Sequence, residues 1–130
     1  VVLQDLPVFA VESKSRKTRF LSHAAKKLGL SNYLPLTQNV NELARSWCFD
    51  ADVVTAKAFK PIPEVPPIAR KCIRDAAQLL IPVSEAQVHE HSLQETKLHR
   101  DGRFVYFTEQ LEPSRGTTQR KLVTKECAPG

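Results

Sequence analysis

The spacing of hydrophobic positions changes several times along the chain, and each change marks an element. From Leu6 to Val11 the run Leu-Pro-Val-Phe-Ala-Val is short, apolar and β-rich. It stops at Glu12-Ser13, which predicts a buried strand followed by a turn. Between Lys14 and Leu28 the apolar residues Phe20, Leu21, Ala24, Ala25 and Leu28 recur at helical spacing. Ser13 or Ser15 is available as N-cap, and Gly29 stands where a left-handed C-terminal cap belongs. Tyr33 to Thr37 reads as a short strand weakened by Pro35, and a short helix is expected from Val40 to Trp47.

Ala51 to Ala56 supplies another strand, and Pro66-Pro67 suits the first turn of a helix running to about Ala77. Gln78 to Val83 is a further strand, followed by a polar segment, Ser84 to His99, of helical or irregular character. Arg103 to Glu109 and Thr118 to Lys125 are expected to form an antiparallel pair. Strands and helices thus alternate before a closing hairpin, the order of an open, mostly parallel α/β sheet with helices on its faces.

Composition narrows this to one domain, residues 1–130. Of 130 residues, 42% are hydrophobic and 25% charged, proportions of a soluble domain. No apolar run approaches the roughly 18 to 20 residues that a membrane-spanning helix needs. The three cysteines, Cys48, Cys72 and Cys127, are odd in number and far apart, which suits reduced thiols rather than a disulfide scaffold or a structural zinc site. Nothing at the start resembles a signal peptide, which leaves the location open, and it is the reduced thiols that suit a cytoplasmic or organellar (mitochondrial included) compartment rather than secretion. The chain has no methionine, so Val1 is expected to follow residues removed by processing or absent from this sequence.

Charge is unevenly placed. Lys and Arg number 19 against 14 Asp and Glu, a formal net charge of +5. Between Ser13 and Asn41 there is no acid at all, while Lys14, Arg16, Lys17, Arg19, Lys26 and Lys27 fall in the first predicted helix. A basic face of this kind suits phosphate contact, and the scarcity of aromatics favours the backbone of folded RNA over stacked single strands.

The stretch Val11-Glu12-Ser13-Lys14-Ser15-Arg16-Lys17-Thr18-Arg19-Phe20-Leu21, followed by Leu28-Gly29-Leu30-Ser31-Asn32, resembles the glucose-inhibited division protein B family. Ala51 to Phe59 is similar to that family's later Phe-Asp-x-Val-x-x-Arg-Ala motif, and Thr118 to Val123 to its Arg-x-x-Val-Val strand. The family comprises methyltransferases that form 7-methylguanosine in small-subunit ribosomal RNA. The resemblance implies a Rossmann-like fold dependent on S-adenosylmethionine, whose sheet ends in an antiparallel hairpin. It implies that Glu12 and Ser13 end a strand where a carboxylate accepts the ribose hydroxyls of the cofactor, and that Val40 and Asn41 border its adenine. Lys57 falls on the family's arginine and is implied as the catalytic-site cation at the junction of cofactor and RNA. The implied RNA contacts are Lys14, Arg16, Lys17, Arg19, Lys57 and Lys60, and the implied partners are small-subunit ribosomal RNA with ribosomal or assembly proteins.

Departures from the pattern are equally readable. Asn39 and Asn41 replace an arginine and an acid, Lys57 replaces an arginine with loss of its two-pronged geometry, and Pro82-Val83 stands where the family favours Lys-Gly. Gly29, Gly102, Gly116 and Gly130 are unclustered, so the glycine-rich turn after the family's first strand is missing, and that strand with it. In this topology the missing strand is central, between the strands at Leu6–Val11 and Ala51–Ala56. Its loss would leave rows of backbone groups unpaired at about 1 to 3 kcal/mol each. The chain by itself is therefore expected to fold poorly unless an upstream segment or a partner chain supplies the strand.

Other chemistry is poorly supported. His89 and His91 are two apart, pointing about 200° apart on a helix, so the His and Glu-rich segment from Glu85 to His99 is not expected to hold a metal. Methyl transfer to a ring nitrogen depends on positioning more than on a strong base, so the lack of an acid/base pair is not evidence against it. Two further readings stand beside the methyltransferase. One is a non-catalytic ribosome assembly or structural factor with this fold, binding RNA and protein; the other is a nucleotide-binding regulatory domain without RNA contact.

Overall fold

The computed structural model describes residues 6–57, 59–114 and 120–129. They form two compact units: the described residues of Val1–Cys48 with Arg120–Gly130, and those of Phe49–Gln119.

The first unit is built on a β-α-β repeat. Strand β1 (Val8–Glu12) lies parallel to β2 (Tyr33–Thr37), with Val8 opposite Tyr33 and Glu12 opposite Thr37. The connection is helix α1 (Ser15–Lys27). Its start corrects the expected cap: Lys14, rather than Ser13 or Ser15, is the N-cap residue, with no side-chain cap bond. The Lys14 carbonyl accepts the N–H groups of Lys17 and Thr18. The other end follows the sequence. Leu30 N–H reaches the Ala25 carbonyl and Gly29 N–H that of Lys26, while Gly29 adopts φ +70°, the left-handed closure that glycine makes without steric cost. Thr18, 5% exposed, places its hydroxyl 2.5 Å from that of Thr37 and so fastens α1 to β2.

Helix α2 (Val40–Ser46) ends one residue before the predicted Trp47. Trp47–Cys48 instead forms strand β3, which pairs in parallel with β8 (Lys121–Leu122). This corrects the expected final pair: β8 lies beside β3, and the partner of Arg103–Glu109 lies elsewhere. Thr118 and Gln119 fall outside the described residues. Cys48 and Val123 are buried here, and the Lys121 ammonium sits 5.7 Å from the Trp47 ring centroid.

The second unit is a four-stranded mixed sheet in the order β4-β5-β7-β6. Strand β4 is reduced to Val53–Val54, shorter than the expected Ala51–Ala56, and runs parallel to β5 (Ala77–Val83). It is the end strand of this sheet, with Val53 59% exposed, an unusual place for a β-branched apolar side chain. Between them, a 3₁₀ turn (Ile62–Glu64) leads into helix α3 (Val65–Arg70). The helix stops well short of Ala77. Phe49 N–H donates to the Cys72 carbonyl and Arg74 N–H to the Phe49 carbonyl, and this bridge takes backbone groups that a longer helix would need.

The polar segment resolves into helix α4 (Glu85–Glu90), a 3₁₀ turn (Glu95–Lys97) and strand β6 (Leu98–Asp101). Strand β7 (Phe104–Leu111) pairs antiparallel with both β6 and β5. The closing hairpin is thus β6 and β7. Its two-residue loop is Gly102-Arg103, with Gly102 at φ +60°, the positive φ that a tight hairpin turn with glycine first requires. One sheet face carries the core: Ala77, Leu79 and Ile81 alternate along β5, facing Phe107 and Leu111 of β7, against Ile62, Val65 and Ala69. Glu109 lies in the same inward row, opposite Leu79, with its side chain 12% exposed. Arg70 at 2.5 Å and Lys97 at 2.7 Å hold its carboxylate.

Candidate functional site

In a parallel α/β arrangement, ligands bind beyond the carboxyl ends of the strands. The expected residues divide between two such edges, one in each unit.

In the first unit, Glu12 is the last residue of β1 and directly opposes Thr37, the last of β2. Glu12 is half-buried. One carboxylate oxygen accepts the Lys14 N–H at 3.3 Å, and the other has no partner among the described residues. Ser13 follows at the turn. Beyond β2, Asn39 caps α2: its side-chain oxygen accepts the N–H groups of Asn41 at 3.0 Å and Glu42 at 3.3 Å. An asparagine immediately before a helical run carries this signal in the sequence, so the departure at Asn39 has a structural role. It also occupies the Asn41 backbone N–H, so Asn41 has only its side chain to offer a ligand. The adjacent Val40 keeps its backbone N–H facing out of the first turn without a partner among the described residues. Glu12, Ser13, Val40 and Asn41 are therefore brought to one sheet edge.

A cleft of about 300 Å³ opens beside Glu12, walled by Arg16, Lys17, Phe20 and Leu21 of α1. Lys14, Arg16, Lys17 and Arg19 are exposed, and none has an ion-pair partner among the described residues. In the second unit, by contrast, Arg70, Lys97, Arg74 and Arg100 all face carboxylates. Arg100 grips Glu95 with two nitrogens, at 2.7 and 3.3 Å, and also meets Glu85. This hydrogen bonding holds the Glu95 carboxyl below the ordinary glutamate range and raises the arginine. Cations committed to acids in this way are poorly disposed to meet phosphate, whereas the α1 row is uncommitted.

Lys57 and Lys60 belong to the second unit, in the loop after β4. Together with Phe59 they border a cleft of about 220 Å³ at the carboxyl ends of β4 and β5. Its floor is apolar, made by Ile62, Val65 and Ile81, each buried. The Lys60 ammonium sits 6.0 Å from the Phe59 ring centroid. Gln87 of α4 reaches the same cleft. Sequence reasoning singled out neither Phe59 nor Gln87, although Ser84-x-x-Gln87 is a legible capping pattern.

His89 lies in α4, His91 just after it and His99 on β6. Among the described residues no group of three or more His, Cys, Asp or Glu is arranged to hold a metal. Cys48 is buried, Cys72 half-buried and Cys127 exposed, and none forms a disulfide. No helix among the described residues is long and apolar enough to cross a membrane.

A β-α-β repeat in the first unit and, in the second, a mixed sheet finished by an antiparallel hairpin are the parts of a Rossmann-like α/β fold. Solved structures carry the same architecture. The putative methyltransferase yhhF from Escherichia coli matches with a TM-score of 0.59 at 14% identity, over 83% of this chain and 65% of that one. The putative methylase HI0767 from Haemophilus influenzae matches at 0.52 and 12% identity, over 82% and 73%. The family is defined more narrowly by sequence: the family model for rRNA small subunit methyltransferase G matches residues 1–123, and the chain belongs to that family. The ribosomal RNA small subunit methyltransferase G of Rhizorhabdus wittichii is 28% identical over 105 residues, covering 81% of this chain and 48% of the relative. The chain spans about half the length of this curated relative.

Proposed function

We propose that the complete protein methylates small-subunit ribosomal RNA, a guanine ring nitrogen in particular, using S-adenosylmethionine. The observation that carries this is the pairing of family membership with Glu12 at the carboxyl end of β1, one oxygen uncommitted, beside the α2 N-terminus. These residues fit the adenosine part of the cofactor. The free oxygen of Glu12 accepts a ribose hydroxyl, Ser13 lines the same turn, and the Val40 N–H and Asn41 side chain edge the adenine. When bound, the cofactor supplies an activated methyl group.

The RNA is held by charge. Lys14, Arg16, Lys17 and Arg19 meet phosphates along α1, and Lys57 and Lys60 do so at the second cleft. Lys57, which falls on the family's arginine, is given its catalytic-site role by the resemblance alone. This reading places the protein in the cytoplasm or in an organellar matrix with ribosomes. Titrating the complete protein with S-adenosylmethionine by calorimetry tests the claim, with saturable heat expected. Absence of heat at millimolar ligand would end it and leave the non-catalytic assembly factor, held to the ribosome by the same basic residues.

A further inference from the structure

Gln87 is fixed in a way that leaves it one kind of hydrogen bond to offer. It is the third residue of α4, and its side-chain oxygen accepts the Ser84 N–H at 2.9 Å while its own N–H donates to the Ser84 hydroxyl at 3.1 Å. A backbone N–H can only donate, so the atom facing it is the amide oxygen and the NH₂ group is the free end. That NH₂ has no partner among the described residues, and Gln87 is exposed where it borders the Lys57 cleft. An ordinary glutamine offers both donor and acceptor. Here the two lone pairs of the amide oxygen face the Ser84 N–H at 2.9 Å and the Ser84 hydroxyl at 3.3 Å, so the group left to offer is the NH₂ donor.

The remaining walls suit a flat ring with a phosphate attached. Phe59 is 41% exposed, the floor of Ile62, Val65 and Ile81 is apolar, and Lys57 and Lys60 have no ion pairs among the described residues. A nucleobase stacks on an aromatic face whatever its identity, so stacking supplies affinity and the polar group supplies choice. Guanine presents a carbonyl oxygen at the ring position where adenine presents an amine. A donor-only amide matches the first and meets the second donor against donor, leaving both unsatisfied.

We propose that Gln87 is a specificity-determining residue of this cleft, selecting a base that bears a ring carbonyl, with Phe59 as its stacking face. The inference rests on the reading of RNA as the partner. Its test uses the complete protein and RNA hairpins of identical stem, whose otherwise abasic loop presents guanosine, inosine, adenosine or 2-aminopurine. Guanosine and inosine, which share the carbonyl, should bind about tenfold more tightly than the other two. Gln87→Glu keeps the cap, since glutamate serves equally at this helix position, but its second oxygen is an acceptor. It should reverse the preference toward adenosine. Phe59→Leu should weaken all four ligands alike.

A Gln87→Glu protein that still prefers guanosine overturns the inference. So does a wild-type protein that binds all four equally but with normal salt dependence, and in both cases the RNA reading survives. Failure to bind any of the hairpins at any salt concentration removes the two together.

Discussion

Glu12→Gln isolates the charge of one carboxylate from its shape. In the native protein one oxygen of Glu12 is held by the Lys14 N–H at 3.3 Å, and glutamine can keep that bond through its amide oxygen. The other end changes from an ionised acceptor to an NH₂ donor. A ribose hydroxyl can still accept from it, so one hydrogen bond survives but loses its charge. Hydrogen bonds to charged groups contribute about 1.5 to 3 kcal/mol and neutral ones about 0.5 to 1.5, a difference of about 1 to 1.5 kcal/mol, or close to tenfold in affinity. Arg16 and Lys17 wall the same cleft, so removing the carboxylate also makes it less hospitable to a cationic sulfonium.

Calorimetric titration of the complete protein should therefore show S-adenosylmethionine binding about tenfold more weakly in Glu12→Gln, with S-adenosylhomocysteine affected somewhat less because it lacks the positive charge. A thermal melt should show stability unchanged within about 0.5 kcal/mol, since the substituted side chain is half-buried at a strand end and keeps its backbone bond. Equal affinities within twofold in wild type and Glu12→Gln, with Glu12→Ala equally unaffected, would refute the placement of the ribose at Glu12.

Three other perturbations read different parts of the molecule. Replacing Lys14, Arg16, Lys17 and Arg19 together by glutamine should flatten the dependence of RNA affinity on salt, the logarithmic slope falling by roughly 0.7 to 0.9 for each phosphate no longer neutralised; an unchanged slope in filter binding would remove α1 from the interface. Leu79→Ala, at a site with 0% exposure in the centre of β5, should cost the complete protein about 2.7 to 5 kcal/mol in urea unfolding, and a cost below 1 kcal/mol would mean the second unit's core is not where it is placed. By NMR titration Glu95 should protonate below the ordinary glutamate value of 4.5, and Arg100→Gln should raise it toward that value. Because its folded pKa is depressed, the stabilisation from this exposed pair is present above pH 4.5 and fades as pH falls through the lower folded value. A Glu95 titration that ignores Arg100→Gln would show that the pair does not persist in solution.

Local order carried the sequence reading furthest where it needed no distant partner. The β1–α1–β2 repeat, the Gly29 cap and the acid-free α1 surface are all consequences of neighbours within a few turns of chain, and so is the motif around Glu12 that marks the family. The fold class was legible for the same reason: alternation of short apolar runs with helical spacing survives in one dimension. What failed was pairing. Arg103–Glu109 could close against either neighbour by composition, and the turn at Gly102 decided for β6 and released Lys121–Leu122 to lie beside β3. Helix α3 was read too long because its end is set by Phe49, more than twenty residues away in sequence. The chemistry of Gln87 was hidden for a related reason. A residue type states which hydrogen bonds are available, but only the fold, by committing the amide oxygen to Ser84 in a residue that borders a cleft, decides which one is left to use.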